Sequence, residues 1–188
     1  FALRVQQFSA LVAAKGVQDT AFYRYFPLVS VNEVGGELGS FGVPLADFHR
    51  ANTDRAHNWP YTMLVTSTHD NKRSEDVRCR IHVLSELPAR WRLTLRHWHQ
   101  MNHTLRSDLH QQGQTTQAPS RADEYLLYQT LLGTLPAEGL SAQGHGAYVA
   151  CIVAYMQEAA REAKLHTRRT QPDGAYEDAV AQFVIRNP

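Results

Sequence analysis

The chain has 188 residues, 43% of them hydrophobic, enough for one packed core of ordinary domain size. Nineteen Lys and Arg against eighteen Asp and Glu leave a formal charge of +1, without the basic excess that nucleic acid demands, so no nucleic-acid partner is expected. No apolar run reaches the roughly 18 residues that span a bilayer, the N-terminus lacks the layout of a signal peptide, and Cys79 and Cys151 are too isolated for a disulfide framework; a cytoplasmic protein with two reduced, buried thiols and no membrane partner is expected.

In chain order, Phe1, Val5, Phe8 and Val12 recur at helical spacing, so a helix is already running at the first residue and the chain is expected to continue upstream. Leu28 to Val34, ended by Gly35-Gly36, reads as a weak strand, and Leu45 with Phe48 predicts a short helix after Pro44 with a thin apolar face. Thr62 to Ser67, following Trp59-Pro60, is rich in β-favouring residues and is the best strand candidate. A lone strand leaves its backbone donors and acceptors unpaired, so this one is expected to find partners elsewhere, or else to lie extended against helices.

Ser74, followed by Glu75 and Asp76, opens a helix whose side-chain cap is Ser74 and whose buried face is Val77, Ile81 and Leu84. Pro88 opens another, with Trp91, Leu95, Trp98 and Leu105 at helical spacing. The polar stretch Ser107 to Pro119 reads as an exposed loop. Ser120 and Asp123 form a capping box ahead of Tyr125, Tyr128, Leu132 and Leu135. A Gly-rich break from Gly139 to Gly146 leads to a helix with Tyr148, Ile152, Tyr155 and Ala159, and Pro172 begins a last helix faced by Tyr176, Val180 and Phe183. The fold class that results is mainly α: a multi-helix segment with one or two short strands.

Chemistry concentrates in Thr68-His69-Asp70-Asn71-Lys72-Arg73-Ser74-Glu75-Asp76, a dense ionisable run at a strand-to-helix turn. Groups at the carboxyl end of a strand project into a shared crevice, where a His-Asp pair can meet a ligand. A solvated turn with a helix cap explains the same residues, and physics alone leaves both readings open. His99 and His103 lie four apart on one helix face, yet no nearby carboxylate completes a zinc pattern, so no metal is expected.

The run Thr66 to Arg78 resembles the signature of the maltooligosyltrehalose synthases, a branch of the α-amylase superfamily. Lys15-Gly16-Val17-Gln18-Asp19-Thr20-Ala21-Phe22-Tyr23-Arg24-Tyr25, continued by Leu28 to Gly36, is similar to an upstream motif of the same family, as are Asp123 to Gly133 and Glu162 to Thr167. Asn71 and Gln18 stand where the family pattern has Thr and Glu.

The resemblance implies a piece of an enzyme built on a (β/α)8 barrel with a helical insertion. Residues 1–73 would be a partial barrel segment ending at the His-Asp motif, and residues 74–188 a helical subdomain. The implied activity is intramolecular transglucosylation, which turns the reducing-end α-1,4 linkage of a maltooligosaccharide into the α,α-1,1 linkage of trehalose without a cofactor. Asp70 matches the carboxylate that stabilises the oxocarbenium-like transition state, being neither nucleophile nor acid. His69, Lys72 and Arg73 are implied sugar ligands, with Lys15, Tyr23, Arg24 and Tyr25 lining the same cleft. The Gly-x-Arg-x-Asp segment that carries the nucleophile and the Glu segment that carries the acid are not found. The chain alone is therefore expected to be inactive, its partners being the maltooligosaccharide and the remainder of the same polypeptide. Two rivals stay open: a segment of another α-glucan hydrolase, and a non-catalytic helical interaction module, favoured if Asp70 and Lys72 are buried in salt bridges.

Overall fold

The computed structural model describes residues 1–111 and 113–187. Among them, seven α-helices and one hairpin follow in chain order: α1 Ala2–Ala13, α2 Leu45–Asn58, α3 Glu75–His82, α4 Pro88–Asn102, β1 Ser107–Gln111, β2 Gln114–Ala118, α5 Arg121–Thr134, α6 Ala142–Ala163 and α7 Gly174–Arg186. The fold is mainly α with two short strands, as the periodicity predicts, although the strands are not those the sequence suggests.

The core forms where the apolar faces of α3, α5, α6 and α7 meet. Ile81, Leu126, Leu127, Ile152, Met156, Val180 and Phe183 are buried there, each contributing about 1.5–3 kcal/mol by leaving water. Three helices start as their sequences dictate. Ser120 Oγ accepts from Asp123 N at 3.1 Å and donates to Asp123 Oδ2 at 2.8 Å, Ser141 Oγ accepts from Gly144 N at 3.0 Å, and Asp173 Oδ1 accepts from Tyr176 N at 3.1 Å. Between α6 and α7, Arg161 Nε donates to Glu177 Oε1 at 3.0 Å and Thr167 Oγ1 donates to the same oxygen at 2.7 Å, and the Arg161 guanidinium holds the buried Glu177 carboxyl below its ordinary range.

An irregular N-terminal segment is stitched onto α5. Phe26, Leu28 and Val29 join the core, and the fully buried Gln129 satisfies the backbone between them. Its Oε1 accepts from Val29 N at 2.8 Å and its Nε2 donates to Phe26 O at 3.4 Å, while Tyr125 OH donates to Pro27 O at 2.6 Å. These bonds do for a loop what a ladder does for a strand.

Several expectations are corrected. Thr62 to Ser67 forms no strand: it pairs with no other strand among the described residues, and Met63 is 90% and Leu64 67% exposed. Only its end touches a helix, where Arg78 of α3 donates to Thr66 O, and its apolar side chains stay in solvent. β-propensity alone supplies neither the hydrogen-bond partners nor the burial that a strand needs. Leu28 to Val34 is not a strand either; Val29–Val31 is a 3-10 turn, because Gln129 and not a neighbouring strand takes its donor. The supposed loop after Ser107 is the antiparallel hairpin, with Ser107 opposite Ala118 and Leu109 opposite Thr116. Its underside packs on the core through Ala118 and Leu109. Ser74 makes no side-chain cap, and Ser67 Oγ instead accepts from Glu75 N at 3.2 Å. α6 begins at Ala142, so Gly144 and Gly146 are helical, and Pro172 precedes the α7 cap Asp173. Both cysteines are exposed, Cys79 because α3 turns Val77 and Ile81 inward instead.

α3 and α5 cross closely at Gly133, where a Cβ would meet Val77 Cγ1 at 2.8 Å and Ile81 Cδ1 at 2.9 Å. Ala is about 1 kcal/mol better than Gly in a helix interior, yet Gly133→Ala is expected to destabilise the fold by about 1–3 kcal/mol, because the branched Val77 cannot move aside without shifting α3. Urea unfolding with an unchanged m-value measures it; a rise in stability would contradict the close crossing.

Candidate functional site

Two segments far apart in the chain meet at one carboxylate. Asn32, buried, donates through Nδ2 to Phe22 O at 2.9 Å and Tyr25 O at 2.8 Å, which folds the 22–32 segment back on itself. The chain then turns at Gly36, where a Cβ would collide with Glu33 O at 2.8 Å and Val31 O at 2.9 Å. Only glycine fits that turn. The turn leaves Glu33, 8% exposed, directed at the His69–Arg73 loop. Glu33 Oε2 accepts from Lys72 N at 2.8 Å and from Asn71 Nδ2 at 3.1 Å, and Oε1 accepts from Arg73 N at 2.7 Å.

The loop is also folded from within. Asn71 Oδ1 accepts from Thr68 N, and Thr68 Oγ1 accepts from Asp70 N at 3.3 Å. His69 and Asp70 therefore stand at its tip, their side chains 91% and 68% exposed, with His69 Nε2 3.5 Å from Asp70 Oδ1. The carboxylate read as catalytic is open to solvent and is not committed to a structural ion pair. At that separation the His contact is too long for a firm hydrogen bond.

Lys72 and Arg73 leave the loop in different directions. Lys72 Nζ lies 3.1 Å from Asp19 Oδ1 and 5.5 Å from the Tyr23 ring centroid. Lys15 Nζ takes the other Asp19 oxygen at 2.6 Å. The hydrogen bond from Lys15, reinforced by Lys72, holds the Asp19 carboxyl below its ordinary range, and burial pushes the Tyr23 phenol up to about 12. Arg73 turns inward: Nη1 donates to Val29 O at 3.4 Å, Nη2 donates to Tyr155 OH, and the guanidinium lies 5.8 Å from the Tyr155 ring centroid.

The structure thus gathers Lys15 and Lys72 around Asp19, with Tyr23 beside Lys72, and Lys72 ties this group to the loop that presents His69 and Asp70. Arg24 goes elsewhere, donating through Nε to Ala163 O at 2.5 Å at the end of α6, and Tyr25 is exposed. Residue-by-residue reading missed Glu33 and Asp19. Asp19 carries a local signal, four residues after Lys15, whereas Glu33 acts on residues 38 to 40 positions away. A cavity of about 330 Å³ lies behind Lys72 and Arg73, bounded by Thr134 of α5 and Tyr148, Cys151 and Tyr155 of α6.

His99 and His103 do not converge. His99 Nδ1 sits 3.0 Å from both oxygens of the buried Glu124, and His103 Nδ1 faces Gln100 O at 2.8 Å. Among the described residues no cluster of three or more His, Cys, Asp or Glu is placed to hold a metal, and no helix is long and apolar enough to cross a membrane.

No family model matches the chain. A Mycobacterium tuberculosis protein provisionally named maltooligosyl trehalose synthase is 40% identical over 180 residues, covering 95% of this chain and 21% of its own length. The chain therefore spans about a fifth of the relatives that it matches. A solved structure of the hypothetical maltooligosyl trehalose synthase of Sulfolobus tokodaii superposes with a TM-score of 0.81 at 32% identity, over 97% of this chain and 23% of that one. The maltooligosyltrehalose synthase of Arthrobacter ramosus gives 0.78 at 39% identity, over 98% and 21%. In sequence and in fold the chain is similar, almost end to end, to a segment of that enzyme.

A carboxyl with a depressed pKa contributes stability above its unfolded value of about 3.9 and loses it as pH falls through the folded value. Asp19 is such a group, so stability is expected to drop below about pH 4, with Lys72 released from its anchor. Asp19→Asn should flatten that part of the profile. Urea unfolding from pH 7 to pH 2.5 measures both; an unchanged acid slope in the variant would show that Asp19 does not hold the two lysines.

Proposed function

We propose that this chain is the portion of a maltooligosyltrehalose synthase that supplies the transition-state carboxylate, Asp70, and part of the site that retains the released glucose. In this reading residues 1–73 belong to the catalytic barrel and residues 74–188 form a helical subdomain beside it. The exposed Tyr61 to Val65 segment is then covered by the rest of the polypeptide. The observation that carries the reading is the near end-to-end similarity to these synthases in sequence and fold, joined to an accessible Asp70 at the tip of a loop tied down by Glu33.

The chemistry balances within the sugar, so no cofactor is required. A carboxylate nucleophile outside this chain attacks the anomeric carbon of the penultimate glucosyl unit. The bond to O4 of the terminal glucose breaks, and a general acid, also outside this chain, protonates that oxygen. Positive charge builds on the ring as the bond breaks, and Asp70 stabilises it while holding ring hydroxyls beside His69. The freed glucose stays bound and turns. Its anomeric hydroxyl then attacks the glycosyl-enzyme carbon, and its proton returns to the acid. The α,α-1,1 bond forms and the nucleophile is released.

Retention of glucose requires fixed donors and exclusion of water, because a loosely held acceptor loses to hydrolysis. Lys72, held between Asp19 and Tyr23, is assigned to that acceptor, with Lys15 at the edge of the same cleft. Tyr25 is assigned to the rim. Arg73 and Arg24 are assigned to tethering the backbone, since their guanidinium groups are taken by Val29, Tyr155 and the end of α6. Lys72 in its ion pair fits the helical-module alternative, but the exposure of Asp70 favours catalysis. The reaction is placed in the cytoplasm, in keeping with two unpaired thiols.

In the full-length enzyme, Asp70→Asn is expected to lower kcat on maltopentaose by at least about 100-fold while the protein stays folded. The 188-residue chain alone should form no non-reducing product. Chromatography of products together with reducing-end assay decides it. A fully active Asp70→Asn enzyme would remove the carboxylate from the mechanism, and free glucose in place of a trehalose-ended product would assign the chain to a hydrolase.

A further inference from the structure

Glu33 is a buried carboxylate that makes no ion pair among the described residues. Its charge is met by N–H donors that all come from Asn71, Lys72 and Arg73: two consecutive main-chain amides and one side-chain amide. A buried charge is costly unless it is fully hydrogen-bonded, and here both oxygens are used. Apolar packing would serve a merely structural contact at lower cost. A carboxylate is the group that fixes two adjacent peptide N–H vectors at once, because each oxygen takes one of them.

We infer that Glu33 is a positioning residue for the reaction, fixing the peptide planes on either side of Lys72 so that Asp70 and the Lys72 side chain keep their places on the sugar. The inference rests on the proposed role of Asp70 and goes beyond it. Two anchors act on the same few residues: Glu33 holds the main chain, and Asp19 holds the Lys72 ammonium at 3.1 Å. The main-chain anchor lies next to Asp70 in sequence, with a single residue between Asp70 and the first clamped amide. When the clamp opens, Asp70 shifts against the anomeric centre, and the acceptor glucose loses its fixed neighbour at Lys72. The first change acts on the charge that builds as the bond breaks, and the second on the step that water contests.

The test uses the full-length enzyme with maltopentaose. Glu33→Gln keeps the shape but leaves one acceptor oxygen and sets an NH2 against an N–H. Glu33→Asp keeps the charge but withdraws it, as a gentler variant that retains the fold. For each, three quantities are read: kcat and KM, the ratio of trehalose-ended product to free glucose, and hydrogen–deuterium exchange of the peptide spanning residues 66–78. The expected result is faster exchange in that peptide, a kcat loss of about 10- to 100-fold with KM changed less than about threefold, and a larger hydrolytic share. Glu33→Asp should follow in the same direction by a smaller amount.

A structural residue alone would lower the amount of folded enzyme and leave the product ratio of the remainder unchanged. A folded variant with faster exchange in residues 66–78 but the parent's kcat and product ratio would overturn the inference. So would a variant whose exchange there does not change. If the unsubstituted enzyme yields only hydrolysis products, the synthase reading fails instead, and the positioning role is then judged on the kcat of hydrolysis.

Discussion

A carboxylate out of water needs its hydrogen bonds, and Glu33 finds them on a loop some forty residues further along the chain. That need joins the turn at Gly36 to the His69–Arg73 loop, and the rest of the molecule follows from the junction. Glu33 is directed at the loop because Asn32 folds the preceding segment on Phe22 and Tyr25, and because nothing larger than glycine fits at position 36. The loop in turn feeds straight into α3, so a shift at either end would be felt at the other.

The helical core serves as the platform for this junction. Gln129 and Tyr125 of α5 hold the backbone of residues 26–29, and Tyr155 of α6 receives Arg73. Arg161, Glu177 and Thr167 lock α6 against α7 behind it. The buried side chains come largely from α3, α5, α6 and α7, whereas α1 and α2 have no buried residue and the Tyr61 to Val65 segment is exposed. The packed helices thus carry a loop on which the acid stays accessible.

Several features whose causes are local were legible, although the Ser74 cap was not, because Ser67 takes the Glu75 amide instead. The capping box at Ser120, the helix started by Pro88 and the stripe of Tyr176, Val180 and Phe183 all follow from residues within a turn or two of one another. The stripe of Phe1, Val5, Phe8 and Val12 did specify a helix, but periodicity cannot supply the surface that would bury it, and α1 has no buried residue. Thr62 to Ser67 failed for a related reason, since β-favouring side chains do not make a strand without a partner strand. The hairpin 107–118 was hidden by its polar composition, which reads as loop although one face of it reaches the core. In the candidate site, the His69–Asp70 tip was legible as a dense ionisable run and through its family resemblance. The bonds that organise it, from Glu33 to the loop amides and from Asp19 to Lys72, join distant residues and leave no local period to read; the Lys15–Asp19 pair is the local exception.

The central claim is that the clamped loop presents Asp70 to the reacting sugar. A crystal structure of the full-length enzyme with a maltooligosaccharide bound across the cleavage site tests it most directly. The expected result is an Asp70 carboxylate within about 3 Å of ring hydroxyls of the sugar at the point of cleavage, with Glu33 still accepting from the Lys72 and Arg73 amides. A sugar bound away from this loop, or an Asp70 turned from it into protein contacts, would contradict the account.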